Sequence, residues 1–184
     1  MIFIDRDGVM IHIVKYDYGW DSAQKPEDVE LIDGVEKVIG WSNKNDIPVV
    51  EISNQPGVAK GKMTQETSDA IEKKTHELLA EKGVKVDKVY ICQHHPIVCD
   101  CSCRKPKPGL LLQAAKELNI DLEKSIFLGD KKSDVDVGKL VDCKTIIFLH
   151  NEDLPEKVKE AEKAEADYKV RSMKKVLKIL KSFF

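Results

Sequence analysis

Paired aspartates follow a short apolar run at the start of the chain. Asp5-Arg6-Asp7-Gly8 comes directly after Ile2 to Ile4. Two carboxylates two residues apart at a strand end can face one site, where one attacks a substrate and the other moves a proton. A calcium loop fails on spacing, because Tyr16 stands at the twelfth position, where such loops have glutamate. A plain structural turn at this tetrapeptide remains open.

A second acidic segment follows another apolar run. Asp130 stands just beyond that run. It could join Asp5 and the backbone carbonyl of Asp7 in an oxygen-rich site suited to Mg²⁺. Lys131, the next residue, is a candidate to bind phosphate oxygens. Two interpretations of Asp134 stay open, because its carboxylate could cap a helix or support the metal site.

A third segment offers hydrogen-bond donors. Ser53-Asn54-Gln55-Pro56-Gly57 follows the apolar run Ile47 to Ile52. The Ser53 hydroxyl and the Asn54 amide would lie at a strand end before a Pro-Gly turn, where both can donate to phosphate oxygens. The segment gains weight from lying between the two acidic segments.

Metal-binding residue types are concentrated in the loop at about 92–109. The chain has five cysteines, and four of them lie in this loop. Clustered thiolates and imidazoles suit a tetrahedral zinc ion, and the odd cysteine count argues against a disulfide framework. Cys92 and His94 form one closely spaced pair. Three more thiolates are available for the two positions that remain: Cys99, Cys101 and Cys103.

The same loop continues without a break into cations. Arg104 and Lys105 follow Cys103 directly. Guanidinium and ammonium groups are the usual partners of phosphate. We therefore expect a metal-bound loop that positions Arg104 and Lys105 for an anionic substrate.

Composition limits the possible functions. A chain of 184 residues that is 42% hydrophobic can bury one core, so we expect a single domain over residues 1–184. The formal net charge of -2 disfavours nucleic acid as a partner. There is no apolar run of about 20 residues and no signal-peptide pattern. We expect a cytoplasmic protein without a membrane partner, and the oligomeric state stays open.

The apolar pattern predicts an α/β fold. Five short runs read as strands, at 2–4, 47–52, 86–91, 125–128 and 145–149, with a further short strand at 168–170. Helical stretches lie between them near 34–45, 64–82, 108–118 and 133–141. This alternation predicts a doubly wound, Rossmann-like parallel sheet between helices, with ligands beyond the carboxyl ends of the strands.

A final amphipathic stretch has two interpretations. Its apolar positions share one helical face and consist of Met173, Val176, Leu177, Leu180 and Phe184. Such a stripe is typical of a terminal helix that docks on the core, which we favour. A basic helix lying on a membrane surface is the alternative.

Taken in order, these segments resemble the four motifs of the haloacid dehalogenase superfamily of phosphatases. The motifs are Asp5-x-Asp7-Gly8, Ser53-Asn54-Gln55, Arg104-Lys105-Pro106 and Gly129-Asp130. The Cys-x-His and Cys-x-Cys-Arg-Lys-Pro elements resemble its zinc-containing branch, which includes heptose 1,7-bisphosphate 7-phosphatases and histidinol-phosphate phosphatases. The resemblance spans nearly the whole chain.

The resemblance implies a role for each motif. Asp5 would be the nucleophile that forms an aspartyl-phosphate, and Asp7 would protonate the leaving alcohol and then activate water. Ser53 and Lys105 would hold the phosphoryl oxygens. Mg²⁺ would be bound by Asp5, by the carbonyl of Asp7 and by Asp130. Offsetting the charge between an attacking carboxylate and a phosphate dianion requires such cations.

For zinc, the resemblance implies a second ligand pair directly before Arg-Lys-Pro. That selects Cys92, His94, Cys101 and Cys103 as a structural zinc site. Cys99 would then be spare, and His95 would be a neighbour that hydrogen-bonds or contacts substrate. On spacing alone, Cys99 with Cys101 is the alternative pair.

We therefore expect a Mg²⁺-dependent phosphatase acting on a small phosphomonoester, foremost a sugar phosphate resembling a heptose bisphosphate. A histidinol-phosphate phosphatase is one alternative, and a zinc-dependent binding module without catalysis is another. Neither gap between motifs can hold a large cap domain. Selectivity would come from three loops: residues 9–33 with Tyr16, Tyr18 and Trp20, residues 55–62 with Lys60, and the zinc loop, whose Arg104 is available for a second anionic group.

Overall fold

A computed structural model describes residues 1–150 and 154–184. In chain order, its strands are β1 (Ile2–Ile4), β2 (Val14–Tyr16), β3 (Gly19–Asp21), β4 (Val49–Asn54), β5 (Lys88–Cys92), β6 (Ile126–Gly129), β7 (Lys144–Phe148) and β8 (Tyr168–Val170). The α-helices are α1 (Val35–Lys44), α2 (Gln65–Glu81), α3 (Gly109–Leu118), α4 (Lys132–Leu140), α5 (Pro155–Glu162) and α6 (Met173–Phe183).

The main sheet is parallel, with the strand order β5-β4-β1-β6-β7-β8. After β5 the chain crosses to the other side of β1 and forms β6. The connections that follow the neighbouring strands β1 and β6 therefore run in opposite directions along the sheet and leave a crevice between them. Ligands bind in such a crevice at the carboxyl edge of a doubly wound sheet. The predicted fold class is confirmed, and the first and fourth motifs meet at this crevice.

Helices cover both faces of the sheet. One apolar cluster joins the sheet to α1, α2 and α6, and a second joins it to α3 and α4. Phe3 and Phe127 are fully buried neighbours in the second cluster, with ring centroids 6.3 Å apart. Truncating either ring would cost about 3–5 kcal/mol. The core therefore fixes β1 and β6 side by side beneath the site.

The ends of the helices follow local sequence signals. Thr64 caps α2 by accepting a hydrogen bond from the Thr67 amide at 3.2 Å. α3 ends at Asn119 in the left-handed conformation. The predicted strands of the main sheet are confirmed to within two residues, and the four helices named from the pattern to within one.

The terminal helix α6 docks on the core, as favoured. Met173, Val176 and Leu180 are buried against the cluster that contains α1. Phe184, predicted on the same apolar face, is 45% exposed. In the described part of the chain, every helix is too short or too polar to cross a membrane.

Three of the described strands and α-helices, a hairpin of two strands and one helix, were not predicted. Residues 9–33, expected to be a loop, contain the antiparallel hairpin formed by β2 and β3. The charged segment from 155 contains α5, which starts at Pro155 and buries Ala161 against the sheet. Each lacks the longer apolar pattern that marks the other elements.

Candidate active site

Most of the predicted catalytic and phosphate-binding residues meet at the carboxyl edge of β1, β4 and β6. They line a cavity of about 360 Å³, and Ser53 and Asp130 lie outside its described lining. Its lining includes Asp5, Asp7, Asn54, Arg104, Lys105 and Lys131. This volume is at the small end of the range for ligand pockets, which suits a small molecule.

Asp5 is the first residue beyond β1 and is buried. Its Oδ1 accepts a hydrogen bond from the Arg6 amide at 2.9 Å and lies 3.0 Å from Lys105 Nζ. Its Oδ2 lies 3.4 Å from Lys131 Nζ. Burial alone would raise the pKa of Asp5, but the two lysines outweigh it and lower that pKa to about 2. Asp5 is therefore a carboxylate at neutral pH, the form that can attack phosphorus.

Lys105 lines the cavity, and its side chain is buried. Nζ lies 2.7 Å from Asp134 Oδ1, donates to the Ile52 carbonyl at 2.8 Å and lies 5.2 Å from the centre of the Phe127 ring. Burial opposes the charge, yet Asp134 and Asp5 together raise the pKa of Lys105 above its usual value. The ammonium group is thus a fixed positive charge beside Asp5.

Asn54 holds the backbone of Lys105 in place. Its Oδ1 accepts from the Lys105 amide at 3.0 Å, and its Nδ2 donates to the Lys105 carbonyl at 3.1 Å. The Lys105–Pro106 peptide bond that follows is cis. The predicted phosphate contact of Asn54 stays a prediction, because both ends of the amide already bind Lys105. Ser53, whose phosphate contact was also predicted, is buried and accepts from Gln55 Nε2 at 2.7 Å.

Neighbouring side chains hold one of the two carboxylate oxygens of Asp7. Its Oδ2 accepts a hydrogen bond from Gln55 Nε2 and lies 3.6 Å from Arg6 Nη2. Its Oδ1 is buried and has no hydrogen-bond partner among the described residues. Asp7 lines the cavity, and Oδ1 is the carboxylate oxygen that no described residue engages.

Three oxygens predicted to bind Mg²⁺ surround one cation position. Lys131 Nζ lies 3.4 Å from Asp5 Oδ2, 3.3 Å from the Asp7 carbonyl and 3.0 Å from Asp130 Oδ1. An ammonium group thus marks a point that attracts positive charge, and the donors are the oxygens that Mg²⁺ prefers. The Lys131 side chain is 48% exposed, so its ammonium group has room to leave this position when another cation occupies it.

Asp134 caps α4, which is one of the two roles left open by the sequence; its support of a metal site stays a prediction. Its Oδ2 accepts from the amides of Asp130 and Lys131 at 3.2 and 3.0 Å, which caps α4. Its Oδ1 pairs with Lys105. A carboxylate oxygen from each of Asp5, Asp130 and Asp134 also lies within 4.8 Å of the others. Asp134 therefore links the start of α4 to the acidic site.

Gly8 lets β6 approach the first motif. Its φ is +88°, and a Cβ at this position would collide with the Asp130 carboxylate. Glycine alone tolerates both the conformation and the close contact. The turn after Asp7 is therefore part of the site's geometry.

The loop at 92–109 brings four predicted ligands together. Ligand atoms of Cys92, His94, Cys101 and Cys103 all lie within 4.8 Å of one another. Cys92 Sγ is 3.7 Å from both His94 Nδ1 and Cys101 Sγ, close to the roughly 3.8 Å between thiolates of a tetrahedral zinc site. All four residues can therefore bind one metal ion. Cys99 is exposed, and Cys143 is buried in the core.

Comparisons with known proteins agree with this geometry. A D-glycero-beta-D-manno-heptose-1,7-bisphosphate 7-phosphatase of Pasteurella multocida is 32% identical over 98% of this chain and 96% of its own length. The chain belongs to the haloacid dehalogenase superfamily. A family model described as HAD-hydrolase-like matches residues 102–176 of it.

Two further superfamily members sharpen the comparison. A D-glycero-alpha-D-manno-heptose-1,7-bisphosphate 7-phosphatase of Campylobacter jejuni is 35% identical over 82% of this chain and 83% of its own. A crystal structure of D,D-heptose 1,7-bisphosphate phosphatase from B. bronchiseptica, complexed with magnesium and phosphate, is 26% identical with a TM-score of 0.84, over 98% and 97% of the two chains. The chain is thus a superfamily phosphomonoesterase, and its relatives include phosphatases for both anomers.

The cavity rim of this superfamily member is basic. Arg104 Nη1 donates to the His94 carbonyl at 3.2 Å, so the cysteine-rich loop positions the guanidinium. Lys60 and Lys62 line the opposite rim, and Lys62 pairs with Asp21 at the end of β3. Among the described lining residues, the 9–33 segment contributes Asp21, Ser22 and Gln24 rather than the aromatic residues expected there. Tyr16 instead donates to Asp28 at 2.6 Å.

The sequence did not predict the roles of two residues that lie within the superfamily motifs. Arg6 is 3% exposed and ties the acidic motif to α2, with Nη1 2.9 Å from Glu72 Oε2. Gln55 was quoted only as part of a motif, but it orients Asp7. An arginine between two aspartates was the available signal for Arg6. Nothing in the sequence indicated that the Gln55 amide contacts Asp7.

Proposed function

We propose that this phosphatase removes one phosphate from a small sugar bisphosphate, depends on Mg²⁺ and works through an aspartyl-phosphate on Asp5. The observation that carries the proposal is the pairing of two unlike carboxylates in one cavity. Asp5 is held ionised between Lys105 and Lys131, whereas one buried oxygen of Asp7 has no hydrogen-bond partner among the residues that the structure describes. A nucleophile and a proton carrier need these two different environments.

In the first step, an oxygen of Asp5 attacks phosphorus. The bond from phosphorus to the sugar oxygen breaks, and protonated Asp7 delivers its proton through Oδ1 to that leaving oxygen. Gln55 and Arg6 hold the other oxygen of Asp7, so the proton has one direction to travel. The product is a free alcohol and a phosphoryl group on Asp5.

In the second step, Asp7 accepts a proton from a water molecule in the cavity. The resulting hydroxide attacks phosphorus, the bond to Asp5 breaks, and inorganic phosphate leaves. Lys105 offsets charge on the phosphoryl oxygens in both steps, because its buried ammonium is fixed beside Asp5. Lys131 can add a second positive charge when it moves into the cavity.

For the cofactors, we assign Mg²⁺ to Asp5, the Asp7 carbonyl and Asp130. When bound there, Mg²⁺ neutralises the phosphoryl charge that would otherwise repel Asp5. We assign a structural Zn²⁺ to Cys92, His94, Cys101 and Cys103, because four protein ligands close a tetrahedral site. The B. bronchiseptica enzyme, crystallised with magnesium and phosphate, supports the first assignment.

The substrate class follows from the rim. The sugar phosphate being cleaved would lie over Asp5, and a second phosphate would reach Arg104 or Lys60 at the cavity edge. Guanidinium and ammonium groups in these places favour a substrate with two anionic ends. The relatives that act on heptose 1,7-bisphosphates support this class.

The test is a substrate panel with both heptose bisphosphate anomers, a sugar monophosphate and histidinol phosphate. Asp5→Asn should abolish hydrolysis throughout the panel, and Asp136→Asn, a change at an exposed carboxylate of α4, should leave it unchanged. Arg104→Gln should raise KM for bisphosphates at least tenfold and leave monophosphate hydrolysis unaltered. Full activity of Asp5→Asn would refute the mechanism, and equal KM effects on both substrate types would refute the substrate class.

A further inference from the structure

A second cluster of ligand-type side chains lies behind Arg6, away from the cavity. Glu51 is in the middle of β4, and Glu72 and His76 lie one turn apart on α2. His76 Nε2 lies 2.7 Å from Glu72 Oε1 and 3.5 Å from Glu51 Oε2. Three residues from two elements therefore point at one position, and none of them belongs to a superfamily motif.

The spacing of these atoms is close to that of a metal site. Bonds of about 2.0–2.2 Å to imidazole nitrogen and carboxylate oxygen place neighbouring ligands of a tetrahedral ion about 3.3–3.6 Å apart. The distance of 3.5 Å from His76 to Glu51 lies in that range, and the 2.7 Å from His76 to Glu72 would have to widen by under about 1 Å. One ligand atom from each of the three residues lies within 4.8 Å of the others. Imidazole with carboxylates is a donor set for divalent first-row transition ions.

The buried side chain of Glu51 also indicates a bound cation. Its side chain is 0% exposed, and neither of its oxygens has a hydrogen-bond partner among the described residues. Burying a carboxylate in this way is costly unless a cation compensates it. Glu51 is a charged residue among the apolar residues Val49, Val50 and Ile52 of β4. Packing alone gives no reason for a carboxylate there.

The charges of the side chains around Arg6 do not balance. Asp7, Glu51 and Glu72 carry three negative charges around Arg6, which carries one positive charge. A protonated His76 leaves one negative charge without compensation, whereas one divalent cation in place of the His76 proton would balance all of them. Burial raises the pKa of Glu51 to about 7, and contacts with Glu51 and Glu72 raise the pKa of His76 to about 9. A proton on either side chain competes with a metal ion for the same atom.

An ion could reach this position from solvent. The side chains of His76 and Glu72 are 28% and 18% exposed, whereas Glu51 closes the inner end. His76 and Glu72 thus form an outer edge through which an ion can pass.

We propose that Glu51, Glu72 and His76 bind a divalent transition-metal ion at a site distinct from both the Mg²⁺ position and the cysteine-rich loop. The ion would leave Glu72 Oε2 free to hold Arg6, whose other nitrogen faces Asp7. The site would therefore fix the arginine behind the catalytic aspartates. The inference does not depend on which substrate the cavity accepts.

Zinc is the probe for this site. Protein already loaded with zinc at the cysteines and saturated with Mg²⁺ is titrated with Zn²⁺ at about pH 7, 8 and 9, because His76 must lose its proton before it can bind the metal. Calorimetry and elemental analysis after gel filtration give the number of ions bound. The variants are His76→Ala, Glu51→Gln and, as a matched control on the same helix, Glu77→Gln.

Wild type and Glu77→Gln should bind one zinc ion per chain more than His76→Ala and Glu51→Gln. Anomalous scattering at the zinc edge should place that ion between β4 and α2. Circular dichroism checks that each variant folds, and His76→Ala keeps the test valid if Glu51→Gln does not. Equal zinc content in wild type and His76→Ala would overturn the proposal, as would anomalous density confined to the cysteines.

Discussion

Replacing Lys105 with methionine tests whether one buried ammonium group supports both stability and catalysis. Its Nζ lies 2.7 Å from Asp134 and 3.0 Å from Asp5, so the substitution leaves two buried carboxylates without this partner. Breaking a buried pair in this way costs about 3–5 kcal/mol. At about 2–4 °C per kcal/mol for a chain of this size, the melting temperature should fall by about 6–20 °C.

The catalytic effect should be separable from the loss of stability. Removing one fixed donor to the phosphoryl oxygens lowers kcat by about 10²–10³-fold. Adding Asp134→Asn removes one orphaned charge while keeping an oxygen that can cap α4. The double variant should regain at least about 1 kcal/mol of unfolding free energy relative to Lys105→Met. Its kcat should stay low, because the ammonium group is still missing.

Lys107→Met is the matched control for Lys105→Met. It lies two residues further along and pairs with Asp100, whose side chain is 92% exposed, so the change should cost less than about 1 kcal/mol and leave kcat unchanged. Thermal melts and steady-state kinetics with saturating Mg²⁺ measure both quantities. A Lys105→Met enzyme that melts and turns over like wild type would refute the reasoning, and so would recovery of kcat in the double variant.

Further predictions concern the turn, the acidic side chain near β8 and the cysteines. Gly8→Ala should raise the Mg²⁺ concentration for half-maximal activity. Gly61→Ala, with positive φ but open space, should only lower stability by about 1 kcal/mol. Asp167 accepts hydrogen bonds from Thr145, and together with Lys144 these outweigh burial and lower its pKa. Asp167→Asn should therefore lose about 1–2 kcal/mol at neutral pH in urea melts, a gap that closes as acid protonates the wild-type carboxylate below about pH 4. By elemental analysis, Cys103→Ser should lose the bound zinc that Cys99→Ser retains.

Most of the fold could be predicted because the buried strands are continuous apolar runs. Ile126–Gly129 and Val49–Asn54 contrast sharply with the helical patterns around them, and parallel strands place their following residues at one edge. The hairpin of β2 and β3 escaped prediction for the opposite reason. Its strands are three residues long and half exposed, so they carry no core pattern.

Within the site, residue types could be predicted more readily than contacts. Aspartates and lysines at strand ends indicate phosphate chemistry. Only distances show that Asn54 holds the backbone of Lys105, or that Lys131 lies among two carboxylate oxygens and a backbone carbonyl. Glu51 was visible as a charge inside an apolar strand. Its partners lie about twenty residues further on, and only the packing of α2 on β4 brings them together.

The small hairpin of β2 and β3 also bears on the timing of the reaction. It stands at the edge of the cavity, where Asp21 contacts Lys62. Enzymes that enclose their substrates often wait for a lid to open before product can leave. If the hairpin keeps its place throughout the cycle, bond making and breaking at phosphorus should be the slow event, and a more viscous solvent should leave kcat unchanged.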